Sequence, residues 1–452
     1  MDILSYTKLT LEDFINKYRR LLKQPSISAR NVGVRECAFL LRDLMEDSGV
    51  YAEVIQSKGN PVVYGEVESR KSNKTLLVYS HYDIQPPDPM DEWIYTPFEA
   101  GIVDGKVVAR GASDSKGNIM AFLKAVEYYV KNEKSAPVNV KFLFEGEEEI
   151  GSPNLPEFVE AHRDLLKADA VICWDGGLHP SNRPSICLGV KGILYVELRC
   201  KTAKVDVHSS YAPVIINPAW RIVWALNSIK SQDGRIKVKG WYDDVRSLTS
   251  EDAELISKIP PEDEDIVREL GIKELLGGVR GVDALRKLIC EPTANIAGLR
   301  SGYIEEGSKT VLPCEATAKL DFRLVVDQKP DKLFDMLRRH LDDEGFRDVE
   351  VVKLGSLLPS KTPSSAPIVQ ASSRAAEETY ESKPVIYPNA TGSGPDYVFT
   401  NILHLDSVWT GCAPPFSKAH APNEFNTVDH LIKGVIYAAN TLREFKNVKL
   451  GK

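Results

Sequence analysis

The sequence predicts an α/β fold, in which a mainly parallel, twisted sheet flanked by helices is interrupted by a smaller α+β domain of ferredoxin-like type. Three observations carry this. Short apolar strand-like runs alternate with stretches of helical periodicity through residues 1–192, the signature of a largely parallel sheet. Past Gly192 the texture changes to amphipathic strands and helices, over residues 193–357. After the Pro/Ser-rich stretch LLPSKTPSSAP the apolar α/β texture returns, so residues 358–452 complete the first domain around an insertion. A chain of 452 residues is long enough for two or three domains.

Taken in order, Leu11, Phe14, Ile15, Tyr18 and Leu22 recur at helical spacing and stop before Pro25. A second helix runs from about Val34 to Asp47 and ends at Gly49. Strand-like runs follow at YAEVIQ, PVVYGEV, TLLVYS and GKVVARG, then a long helix striped by Ile119, Phe122, Leu123, Val126 and Val130, then the strands VNVKFLF and ADAVICW. In the insertion, ILYVELRC, ATAKLDFRLV and VEVVKL read as strands, and Pro218 to Ile229 and Lys332 to Leu341 as helices, an α+β layer with two helices on one side. A charged helical segment from about Ser231 to Glu291 lies between them. SRAAEETY, HLDSVWTG and LIKGVIYAANTL restore the first domain.

The totals exclude several classes of function. A formal net charge of −7 without a Lys/Arg cluster argues against nucleic acid as a partner. No stretch approaches a membrane span, and the amino-terminal segment mixes acids into an amphipathic helix where a signal peptide would carry an apolar core. Seven cysteines are scattered singly, with no C-x-x-C pair. That usage suits a soluble, cytoplasmic protein and leaves any transition metal to histidine and carboxylate ligands.

Open α/β sheets place ligands at the carboxyl ends of their strands. After TLLVYS comes His81-Tyr82-Asp83, after GKVVARGAS comes Asp114, after KFLF comes the acidic run EGEEE, after AVICW comes Asp175, and after the last strand comes KAHAPNE with His420. Taken singly, each has an ordinary structural explanation: Asp114 as a helix cap, Asp175 before Gly176-Gly177 as turn chemistry, either histidine as a hydrogen-bonded scaffold residue. Together, two histidines and several carboxylates on one sheet rim make a ligand set for two divalent cations, zinc first, with manganese or cobalt as alternatives. Paired ions need a carboxylate between them, and the hydrolytic water they activate needs a further, unligated carboxylate as proton acceptor. Glu148-Glu149 can supply one ligand and one base, which accounts for the crowding of acids in FEGEEEIGS.

The motifs YSHYDIQPPDPMDEW, ARGASDSKGN, EGEEEIGS and AHAPNE, with Asp175 after its strand, resemble in order the metal boxes of the di-zinc exopeptidases and deacylases. That family includes carnosinase-type dipeptidases, aminoacylase, carboxypeptidase G, acetylornithine deacetylase and succinyl-diaminopimelate desuccinylase. The resemblance runs through nearly the whole chain and is nearest to the carnosinase branch, through GWYDDV and PPDPMDEW. It implies that Asp114 bridges two ions, that His81 and Asp175 complete one site, and that Glu149 and His420 complete the other. Glu148 is then the general base, and Asp83 orients His81. The inserted domain becomes a lid that also dimerises, offering His208 to steady an oxyanion in the partner subunit and Thr310 and Arg323 to bind a substrate carboxylate, while Gly392 and Ser393 match a further substrate-binding loop in the last segment. The expectation is a homodimeric exopeptidase for dipeptides or short peptides. A deacylase of N-acyl amino acids is the nearest alternative, and an inactive metal-binding assembly protein is one from another class.

Overall fold

A computed structural model describes residues 1–450. At its centre lies an eight-stranded mixed sheet. Its strands, from edge to edge, are Tyr51–Ile55, Val62–Val67, Asn139–Glu145, Thr75–His81, Ala170–Gly177, Ser407–Ala413, Ser185–Cys187 and Val385–Tyr387. The four strands from Asn139–Glu145 to Ser407–Ala413 run parallel, while the pairs at Val62–Val67 are antiparallel. A strand's side chains alternate between faces, so the near-continuous apolar runs of these central strands imply cover on both sides. Leu76, Val78, Phe142, Phe144, Ile172 and Trp174 pack under the helices Leu11–Lys23, Val34–Asp47, Lys116–Lys131, Pro367–Tyr380 and Val428–Asn447. Their neighbours Leu77, Tyr79, Leu143, Val171 and Cys173 face the opposite way, onto Leu155, Phe158, Val398 and Phe399.

The helix Lys116–Lys131 carries the predicted stripe but is buried on every side from Lys116 to Tyr129, sandwiched between sheet and outer helices. Where the sequence predicts a sheet strand at GKVVARG, the structure has a three-residue strand, Lys106–Val108, in a separate three-stranded sheet with Gly101–Val103 and Phe425–Thr427. The run is too short, and too exposed at Lys106, to enter the central sheet. This correction matters because the small sheet ties the turn before Asp114 to the segment after His420.

The inserted region forms an antiparallel sheet in the order Thr293–Ser301, Glu315–Leu324, Gly192–Lys201, Val349–Leu357, with the helices Pro218–Ile229 and Pro330–Asp343 on one face. Leu194, Val196, Leu198, Leu320 and Phe322 pack there against Ile222, Ala225, Leu333 and Leu337. The β-α-β-β-α-β order is that of the ferredoxin-like arrangement expected. Its edge strand Thr293–Ser301 gave no clear signal, because it is exposed along most of its length and its pairing is interrupted by a bulge between Ile296 and Gly298. The charged segment holds the helices Ser250–Lys258, Asp263–Leu270 and Gly281–Cys290. Ile256, Ile259, Leu285 and Ile289 fasten it to Val385 at the edge of the large sheet. No helix among the described residues is long and apolar enough to cross a membrane.

Candidate metal centre

His81 ends the strand Thr75–His81, Asp175 lies near the end of Ala170–Gly177, and Glu148 and Glu149 form a short helical turn three residues beyond Asn139–Glu145. Asp114 enters from the small sheet, just before the helix Lys116–Lys131, and His420 from the loop between Ser407–Ala413 and Phe425–Thr427. The rim of the large sheet thus supplies three of the five predicted positions, the small sheet delivers Asp114, and the loop that joins the large sheet to the small one delivers His420.

They converge around Asp114. Its Oδ1 lies 3.0 Å from His81 Nε2, and its Oδ2 lies 2.9 Å from His420 Nε2. His81 Nε2 is also 3.3 Å from Asp175 Oδ1, and His420 Nε2 is 3.2 Å from Glu149 Oε2. One carboxylate therefore faces two histidine-and-acid pairs, one oxygen to each. Ligand atoms of His81, Asp114 and Glu149 lie within 4.8 Å of one another, a group able to hold a metal ion. The donors are imidazole nitrogens and carboxylate oxygens without a thiolate, which fits hard or borderline divalent cations.

The surroundings hold this geometry. His81 is fully buried, its Nδ1 3.1 Å from the Asp83 carbonyl oxygen, so Nε2 points at the cluster. The Asp83 carboxylate accepts from the backbone N–H groups of Glu148 at 3.2 Å and Glu149 at 3.1 Å, with Oδ1 3.4 Å from His81 Nδ1. One side chain thereby sets both a histidine and the glutamate turn. Gln85 donates to Glu149 Oε2 at 2.8 Å. Asp175 lies in strand conformation and not in a turn, because the strand continues through Gly176 and Gly177. Gly176 pairs there with Gly411, where a Cβ would lie 2.2 Å from the Gly176 carbonyl oxygen.

Glu424, in AHAPNE, carries no role predicted from the sequence. It is fully buried and accepts from the N–H groups of Gly111 at 2.9 Å, Ser113 at 2.8 Å and Asp114 at 3.1 Å, and from Arg110 Nη1 at 2.8 Å. It clamps the turn that presents Asp114. Nothing local marks it, since its partners lie more than three hundred residues away. His420 adopts a left-handed φ of 62°, as do Lys418 and Asn423 in the same loop, a rare conformation for such residues.

Burial and like charge oppose ionisation of the two glutamates, while His81 and His420 favour it at Asp114. Burial raises the pKa of Glu148 well above the usual carboxylate range, and Asp175, Glu149 and Asp114 push the same way. Glu149 is raised by burial and by Asp114, although His420 opposes it. Burial alone would lower His81, but Asp175, Asp114 and Asp83 together raise it, and hydrogen bonds donated to Asp114 and Glu149 raise His420 to about 10. Among the described residues, the Glu148 carboxylate has no hydrogen-bond partner.

A cavity of about 400 Å3 adjoins the cluster, lined by Asp114, Glu148, Asp175 and His420 on one side and by Gly392, Ser393 and Trp409 on the other. Ser393 Oγ accepts from Arg323 Nη1 at 2.8 Å and donates to the Gly192 carbonyl oxygen at 3.0 Å, so Arg323 reaches the cavity wall from the inserted sheet. His208 and Thr310 come together elsewhere, Nε2 to Oγ1 at 3.4 Å, on an exposed two-strand pairing, and neither lines this cavity. His208 Nδ1 accepts from the Ser210 N–H at 3.1 Å and so caps a turn.

The sequence model of peptidase family M20/M25/M40 matches residues 77–444, a span that contains all six acids and histidines of the cluster. Over 286 residues the chain is 32% identical to the human beta-Ala-His dipeptidase, covering 63% of this chain and 56% of that protein. The matches span just over half the length of the human, rat and mouse proteins of that name. Among solved structures, an M20 family metallo-carboxypeptidase from Sulfolobus solfataricus superposes with a TM-score of 0.92 at 40% identity, over 99% of this chain and 100% of that one. Human carnosine dipeptidase 1 superposes with a TM-score of 0.87 at 26% identity, over 98% of each chain. With the ligand cluster, the interrupted α/β sheet and the family match coinciding on one stretch of sequence, this chain belongs to peptidase family M20/M25/M40.

Proposed function

We propose that the protein is a metal-dependent exopeptidase that hydrolyses dipeptides or short peptides with a free carboxylate. The observation that carries this reading is a single cavity with a His/carboxylate cluster on one wall and, on the other, Ser393 held by the Arg323 guanidinium. A guanidinium fork is suited to a terminal carboxylate, which then fixes the distance to the bond that is cut. The metallo-carboxypeptidase and dipeptidase names of its relatives point the same way.

His81 and Asp175 would hold one divalent ion, Glu149 and His420 a second, with Asp114 shared between them. Zinc suits these donors, and manganese or cobalt are the alternatives. Such ions, when bound, polarise the scissile carbonyl and ease deprotonation of the attacking water. Glu148 takes that proton and delivers it to the leaving nitrogen as the C–N bond breaks, a role that its unpaired carboxylate at the cavity wall supports. Because His208 Nδ1 is an acceptor, its neutral ring carries the proton on Nε2 and can donate to an oxyanion.

That donor would act in a second copy of the chain. A homodimer through the inserted domain is supported by its exposed apolar surface: Trp220, Val223 and Trp224 on the helix Pro218–Ile229, and Ile296 and Leu299 on the open edge strand. Seven cysteines, none paired, support a reducing, cytoplasmic location. Assay of the metal-loaded protein on Ala-X dipeptides and on N-acetyl and N-succinyl amino acids tests the reading. Dipeptide turnover is expected; turnover confined to the acylated amino acids would make it a deacylase.

A further inference from the structure

A second cavity, of about 690 Å3, opens on the far side of Arg323. It is walled by the inserted sheet, the loop after the helix Pro218–Ile229, and the helices Asp263–Leu270 and Gly281–Cys290. Five cationic side chains line it: Lys191, Lys230, Arg235, Lys287 and Arg323. The two carboxylates present are engaged elsewhere: Asp233 with the Ser231 hydroxyl and the Arg235 N–H, and Glu291 with Arg286 at 3.5 Å. In a chain of net charge −7 this is a local excess of positive charge at one concave surface.

Lys191 is the sharpest feature. It is 2% exposed, and its one described hydrogen bond goes to the Glu291 carbonyl oxygen at 2.8 Å, leaving two of its three N–H donors uncommitted. A buried ammonium with no carboxylate in ion-pair contact is costly, and burial together with Arg323 pushes its pKa down to about 8, against Cys290 and Glu291. Its backbone meanwhile donates to Gly392 and bridges to Ser393, so the lysine joins the wall of the first cavity to the interior of the second. Lys230 Nζ likewise donates to a carbonyl, that of Ala294, at 2.6 Å. Leu276 and Leu288 supply an apolar floor for a short aliphatic stem.

We propose that this cavity binds a second carboxylate on the substrate, carried by the side chain of an acidic C-terminal residue, while Arg323 takes the α-carboxylate. The inference rests on the exopeptidase reading and narrows it: the charged segment 231–291, together with Lys191, selects peptides that end in Glu or Asp.

The test compares kcat/KM of the metal-loaded enzyme on Ala-Glu, Ala-Gln and Ala-Ala-Ala, in the unsubstituted protein and in Lys191→Met, Arg235→Ala and Lys287→Ala. Hydrogen bonds to charged groups predict a preference for Ala-Glu over Ala-Gln of about tenfold or more. That ratio should fall toward one in the variants. Each ratio is internal to one preparation, so partial misfolding does not move it. In thermal-shift measurements L-glutamate should raise the Tm more than L-glutamine does, and the difference should shrink in Lys287→Ala. Equal rates on Ala-Glu and Ala-Gln would overturn the inference and leave the exopeptidase reading standing. A preference for Ala-Ala-Ala over Ala-Glu would assign the cavity to longer chains and overturn it as well. Absence of hydrolysis on every peptide would overturn both.

Discussion

The acids at the rim of the large sheet and the candidate residues of the inserted domain differ in how completely their own chain surrounds them. His81 and Asp83 are fully buried, Asp83 grips two backbone N–H groups, and Glu424 clamps the Asp114 turn. His208 and Thr310 stand exposed on a two-strand pairing and touch chiefly each other and Ser210. The first region is pre-organised within one chain, because a cluster of buried carboxylates keeps its shape only if every neighbour is fixed. The second has no such enclosure from its own chain.

Asp114→Ala should have the largest effect, since it removes the carboxylate that faces both histidines. Metal analysis should show loss of bound ion and activity should vanish; full metal content in that variant would break the picture of a shared ligand. Glu148→Gln should retain metal and lose turnover by about 100- to 10,000-fold, the range of general acid–base catalysis. Wild-type rates in that variant would remove Glu148 from the proton path. His208→Ala should lower kcat by about 100- to 1,000-fold, as loss of one oxyanion donor does. Mixing it with Glu148→Gln protein under subunit exchange should restore activity, because the hybrid dimer pairs an intact glutamate with an intact histidine from the other chain. No recovery would place His208 within its own subunit or outside the reaction.

The smallest effect is on stability. Burial raises the Glu145 carboxyl from 4.5 to about 8, with hydrogen bonds from Tyr79 and Ser152 opposing the shift. Between those values the folded metal-free protein binds more protons than the unfolded chain, so its stability should fall as pH rises from 4.5 through 8. Glu145→Gln should flatten that slope in urea titrations at pH 5 and pH 9. An unchanged slope would mean that Glu145 stays ionised in the fold.

Much of this was legible locally. The alternation of apolar strands and helices announced a covered sheet, and His81, Asp175 and the Glu148-Glu149 pair were readable because each lies at or just beyond the end of a sheet strand. Asp114 was found for a reason that was only half right, since its motif stood out but the strand before it belongs to a separate small sheet, whereas His420 does follow a strand of the large sheet, Ser407–Ala413. The edge strand Thr293–Ser301 was missed because little of it is buried, and periodicity records burial. Glu424 was missed because its role is a set of hydrogen bonds to backbone far along the chain, and backbone carries no residue code.

By itself the sequence determined which residue types stand at strand ends, and hence that divalent-metal chemistry was available, because ligand identity and spacing are written in one dimension. The tertiary structure alone decided that Asp114 presents one oxygen to each histidine, that Arg323 meets Ser393 across the two regions, and that Lys191 sits buried among other cations. Those facts depend on how separate segments approach one another, and close packing around buried charge is a property of the assembled molecule that no single stretch of chain possesses.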